Sequence, residues 1–234
     1  MSLLPASETE SLLSPAERDE IGTFAERARD LAAHAANEGA AGIDEVWVVC
    51  RHVTPSWAAR SIWIDRYAAE RVCGGIVHIE AVFRNRATSE MIAYTVDKPD
   101  PREPGSGFVR QVAPDPRRTY PAPTWTCHKL TSLSPAERYG MLAFMQRQVD
   151  KPFNYGMYWN FLPVVGPLFA GESEVEETHY FCSQLIASAL RWIRPTQYAT
   201  IEPRRCTPAI LHAILSAERS DELSLFRPVD TLEL

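Results

Sequence analysis

Four short runs rich in β-branched and aromatic residues, all lying between residues 46 and 96, constrain this chain more than any other feature. They are Val46-Trp-Val-Val-Cys50, Ser61-Ile-Trp-Ile64, Gly75-Ile-Val-His-Ile-Glu-Ala-Val-Phe83 and Met91-Ile-Ala-Tyr-Thr-Val96. Each is bounded by turn residues, so each reads as a strand of an antiparallel sheet. Between Pro99 and Pro123 the chain then carries seven prolines, too many for the interior of a regular element. This stretch is expected to be a long surface excursion with a short edge strand at Phe108 to Val112.

Helices are announced by their start signals. Leu-Ser-Pro-Ala-Glu-Arg occurs at Leu13 to Arg18 and again at Leu133 to Arg138. In each copy a serine caps free amides, proline takes the first helical position, and a glutamate closes a capping box. The first helix is expected over Pro15 to about Ala36, ended by Gly39 and Gly42, as an N-terminal appendage covering residues 1–42. The second runs from Pro135 to about Val149. Tyr180 to Ile193 forms a third, with Leu185, Ile186, Ala189, Leu190 and Ile193 on one apolar face and Cys182 in its first turn. Thr207-Pro208 opens a last helix, and Phe226 to Val229 is expected to return as a strand. Sheet and helices together make the fold class α+β, with residues 43–234 as the main domain.

Composition narrows the function. An apolar fraction of 45% with six Trp belongs to a folded globular protein. Twenty-four Lys and Arg against thirty Asp and Glu give a net charge of −6, which lacks the positive field that nucleic acid requires. Arg110, Arg117 and Arg118 lie near Tyr120 and Trp125, but Asp100, Glu103 and Asp115 dilute their charge, so a solvated loop is the expectation there. The N-terminus has no basic leader and no apolar core, and five widely spaced cysteines fit reduced thiols better than a disulfide framework. A cytoplasmic location is therefore expected. The longest apolar stretch, Phe161 to Ala170, is broken by Pro163, Gly166 and Pro167 and falls short of the roughly 20 residues a spanning helix needs. It reads as a core plug or as an exposed flap that binds an acyl chain or apolar peptide, and peripheral membrane contact stays open.

The chemistry begins at Cys182. A thiol in the first turn of a helix faces unpaired backbone N–H groups and the positive end of the dipole, which favour thiolate and supply donors for an oxyanion. On the third strand His78 and Glu80 are two apart, so they share one face. Cysteine, histidine and carboxylate are the parts of a thiol catalyst: nucleophile, general base and orienting group.

The ordered set His78-Ile-Glu80, Lys151-Pro-Phe-Asn-Tyr155 and Tyr180-Phe-Cys-Ser-Gln-Leu-Ile186 resembles the circularly permuted papain-like superfamily of NlpC-type cysteine hydrolases, which includes lecithin:retinol acyltransferase-like proteins. The resemblance spans roughly Gly75 to Ile193, with histidine preceding cysteine as in the permuted group. It implies an antiparallel, partly barrelled sheet packed on the helix carrying the cysteine. It implies Cys182 as nucleophile, His78 as base, and Tyr155 near the cleft as a substrate contact. In many relatives the orienting residue lies on the strand after the histidine strand, which would point to Met91 to Val96 or nearby Asp97. Glu80 is preferred here, because that following strand offers only Tyr94 and Thr95 as polar candidates.

The implied function is a thiol hydrolase of the amidase or peptidase type, working through a thioester acyl-enzyme without cofactor. A lipid-directed thiol acyltransferase or phospholipase uses the same parts, and a catalytically silent binding module would keep the same fold. Zinc held by Cys127, His128, His179 and Cys182 is disfavoured, because there is no Cys-x-x-Cys pair and adjacent Cys127 and His128 lack the usual ligand spacing. No metal is expected. His34, His52 and His212 read as ordinary surface or satisfied core histidines.

Overall fold

A computed structural model describes residues 43–61, 63–85, 88–100, 105–112, 124–156 and 178–222. The expected N-terminal helix, the apolar stretch from Phe161 to Ala170 and the terminal strand at Phe226 to Val229 lie outside these residues.

Five strands form one antiparallel sheet. They are β1 (Glu45–His52), β2 (Ile76–Arg84), β3 (Met91–Val96), β4 (Val109–Val112) and β5 (Trp125–Lys129), in the order β4-β3-β2-β1-β5. The sheet is open, with β4 and β5 at its edges. The expected partial barrel is thus corrected: no pairing between the two edges closes the sheet among the described residues.

The expected strand at Ser61 to Ile64 is a second correction, because Trp63 and Ile64 lie in a helix. Thr54 accepts a hydrogen bond from the Trp57 amide at 3.2 Å and Pro55 takes the first helical position, which starts α1 (Pro55–Arg60). After Ser61 the chain turns again into α2 (Trp63–Tyr67) and a π-helical turn, Ala68–Val72. This second short helix overrides the β preference of the Ile-Trp-Ile run, and Trp63 stands exposed rather than pairing in the sheet. Gly74 and Gly75 both have positive φ, 61° and 80°, and turn the chain into β2.

The other helices follow their signals. Ser134 and Glu137 form both halves of a capping box at the start of α3 (Pro135–Gln148). Next come α4 (Cys182–Ile193) and α5 (Pro208–Glu222). One face of the sheet packs Val46, Val48, Ala81, Phe83 and Tyr94 against Met141, Phe144 and Met145 of α3 and Leu185, Ile186 and Leu190 of α4. The opposite face gathers a smaller cluster, Trp47, Val49, Val82, Met91 and Ala93. No helix among the described residues is long and apolar enough to cross a membrane.

Candidate active site

Three of the four site residues expected from sequence come together, and the centre of the group is His78. It lies near the start of β2, opposite Arg51, where a bulge between Arg51 and His52 shifts the β1–β2 register. Its ring is 4% exposed, so each polar atom on it needs a partner. Both nitrogens face carboxylates: Nε2 is 3.2 Å from Glu80 Oε1, and Nδ1 is 3.3 Å from Asp97 Oδ1. Thr95 Oγ1 also lies 2.7 Å from Nε2.

The strand geometry explains this gathering. Glu80 is two residues from His78 on β2 and therefore shares its face. Thr95, next to last in β3, lies on the face of Ala93, and Asp97 continues the same parity one step past Val96. Arg110 on β4 pairs with Thr95 in register and reaches Asp97 Oδ2 at 3.1 Å. The His78 ring and Arg110, with Arg51 further off, thus face two carboxylates in a largely buried space, which is the condition for keeping charge there.

The Cys182 side chain lies close enough to the His78 ring to help raise its pKa. Cys182 occupies the first turn of α4, after Phe181 in extended conformation. Gln184 holds this entry in place: its Oε1 accepts from the Phe181 amide at 3.4 Å and from Asn154 Nδ2 at 3.2 Å. The segment before α4 is also pinned, with Asn154 N donating to Tyr180 O at 2.8 Å and Tyr180 Oη donating to Gln148 Oε1 at 3.2 Å. The α4 amides thus begin beside the sulfur, free to donate toward an oxyanion.

Electrostatics set His78 apart. Burial alone disfavours its charged form, but the Asp97 carboxylate, Cys182 and Glu80 outweigh that, and its pKa stands well above the ordinary histidine value. For Asp97, burial pushes upward, yet His78 and Arg110, with Arg51 further off, hold it below the usual carboxylate range. Burial also raises four of the five cysteines: Cys73 and Cys206 go to about 12, Cys127 to about 11, and Cys50 rises too. Those four stay as thiols at neutral pH.

Tyr155 does not join this network among the described residues. It is 53% exposed and packs edge-on against Phe153, with ring centroids 5.3 Å apart. The four residues weighed for zinc are also dispersed. Cys127 packs with the Trp47 cluster, His128 faces His212, His179 bonds Thr178 at 2.9 Å, and Cys182 is with His78. Three contributors were underweighted in the sequence. From sequence alone Asp97 ranks behind Glu80, Thr95 is no carboxylate, and Arg110 reads as part of a solvated loop. The alternation of Thr95 and Asp97 was the available signal.

Set against known proteins, the chain matches no family model, no curated protein and no solved structure.

Proposed function

We propose that the protein is a thiol hydrolase of the amidase or peptidase type on a permuted papain-like fold, with Cys182 as nucleophile and His78 as general base. The observation that carries this reading is a buried imidazole held between two carboxylates, with the Cys182 side chain close enough to influence its charge. In its neutral form His78 takes the thiol proton while the sulfur attacks a substrate carbonyl carbon and forms a C–S bond, and the imidazolium so formed is the state the two carboxylates favour. The Cys182 backbone N–H donates to the developing oxyanion. Collapse breaks the bond to the leaving group, which receives the proton from His78. Water then gives a proton to His78, attacks the thioester and releases the acid, restoring the thiol. Asp97 and Glu80 hold the imidazolium in each half-reaction.

An electrophilic thiol probe at neutral pH tests this reading. Cys182 is expected to label much faster than Cys50, Cys73, Cys127 and Cys206, and His78→Ala should abolish that preference. Equal labelling of all five overturns the proposal. With a peptide digest as substrate, products absent for Cys182→Ser identify the reaction, and His78→Ala should slow turnover roughly 10²–10⁴-fold.

A further inference from the structure

On the face that also packs Cys182, β1, β5 and α5 bring a second set of chemically active side chains to one place. In the β1–β5 ladder Cys50 pairs with Thr126, and His128 is two residues beyond Thr126, so Cys50 and His128 share a face and sit diagonally. That face is the one α5 covers. Thr207 caps the start of α5, its Oγ1 accepting from the Ile210 amide at 3.2 Å, and Leu211 and Leu215 anchor the helix in the core. His212 then projects onto the strands, with Nδ1 2.8 Å from His128 Nε2. Cys50 and His128 are buried, and one ligand atom from each of Cys50, His128 and His212 lies within 4.8 Å of the others.

We propose that Cys50 Sγ, His128 Nε2 and His212 Nδ1 bind a zinc-class divalent cation, with the fourth position open toward His52. One sulfur and two imidazoles are the donor set of a borderline-soft metal, and calcium or magnesium would demand oxygen. Bonds of about 2.0–2.3 Å to a tetrahedral zinc put ligand atoms roughly 3.3–3.6 Å apart. The two histidine nitrogens therefore separate by about half an ångström, and the sulfur draws inward by at most about 1.5 Å. His52 stands beside the group, its ring edge-on to His212 at 6.1 Å and its Nε2 2.7 Å from Thr126 Oγ1. On binding, the Cys50 thiol releases one proton. The proton shared by His128 and His212 moves to the far nitrogen of the ring that carries it, so both facing nitrogens present lone pairs. One S–metal and two N–metal bonds form, and nothing is oxidised or reduced. The cation would clip the last helix to two strands, one of them an edge.

Full-length protein stripped with chelator and dialysed against Zn²⁺ should retain one equivalent by elemental analysis. Co²⁺ in its place should show a sulfur-to-metal charge-transfer band. His212→Ala, a partly exposed position, should weaken binding beyond the roughly 10–100-fold that losing an outer-shell partner costs. Cys50→Ser should remove the charge-transfer band, with circular dichroism confirming that each variant is folded. Cys182→Ser should keep both stoichiometry and band. The proposal is overturned if folded wild-type protein retains no zinc, if cobalt binds without a sulfur band, if His212→Ala binds as wild type, or if Cys182→Ser loses the metal. None of these readouts depends on hydrolase activity.

Discussion

A histidine contacted at both ring nitrogens by carboxylates differs from one oriented by a single acid, and the difference is testable residue by residue. Among the interactions that raise the His78 pKa the Asp97 charge is the largest, followed by Cys182 and Glu80, and His78 and Arg110 keep Asp97 ionised. Asp97→Asn should therefore lower the His78 pKa further than Glu80→Gln does, as read from the imidazole resonances in an NMR titration. A larger fall for Glu80→Gln would assign the orienting role to Glu80, the residue preferred from sequence. Both substitutions keep shape and a hydrogen-bonding group, so they change charge without opening a cavity. The same reasoning explains why the cysteines are unequal. Cys50, Cys73, Cys127 and Cys206 carry thiols raised by burial, and Cys182 is placed at the start of a helix.

At the scale of elements, the helices were the most legible part of the chain, because caps and periodicity are local. Ser134→Ala removes the acceptor for the Glu137 amide and should cost about 1 kcal/mol in urea unfolding, while Ser134→Asp should be close to neutral. Equal stability of Ser134→Ala and wild type would show that the capping box contributes nothing. Three of the four strand-like runs became β1, β2 and β3, and the edge strand near Phe108 became β4. The run at Ser61 to Ile64 failed as a strand because Trp63 and Ile64 enter a separate short helix after the Thr54-capped one ends at Ser61. Trp125 to Lys129 went unread as a strand, since its partner β1 is distant in sequence and a proline-rich stretch precedes it. Openness of the sheet is likewise non-local, being decided at the two edges. In the site, residue chemistry made Cys182, His78 and Glu80 legible. Asp97 was not favoured, because a residue just past a strand end shows its facing only once the ladder is known.

For the whole molecule these groups predict how stability depends on pH in metal-free protein. His78 has a folded pKa above its unfolded value near 6.5, so its contribution is fully present below 6.5 and is lost as pH rises through the folded value. His212 runs the other way. Burial and the neighbouring His52 lower its pKa, so the folded state resists protonation and stability falls as pH drops below 6.5. Asp97, lowered from 3.8, extends that acid-side loss to still lower pH. Above 9.0 the buried thiols add a second alkaline loss, because the unfolded chain ionises cysteines that the fold keeps protonated up to about 11 or 12. Stability should therefore peak near pH 6.5, with each proton worth at most about 1.4 kcal/mol per pH unit on either flank. Urea unfolding in chelator from pH 4 to 10 measures the curve directly. His78→Gln should flatten the decline above 6.5 and leave the steeper loss above 9 in place. If wild-type stability keeps rising from 6.5 to 8, the imidazole is not held charged between Asp97 and Glu80, and the electrostatic account of the site fails with it.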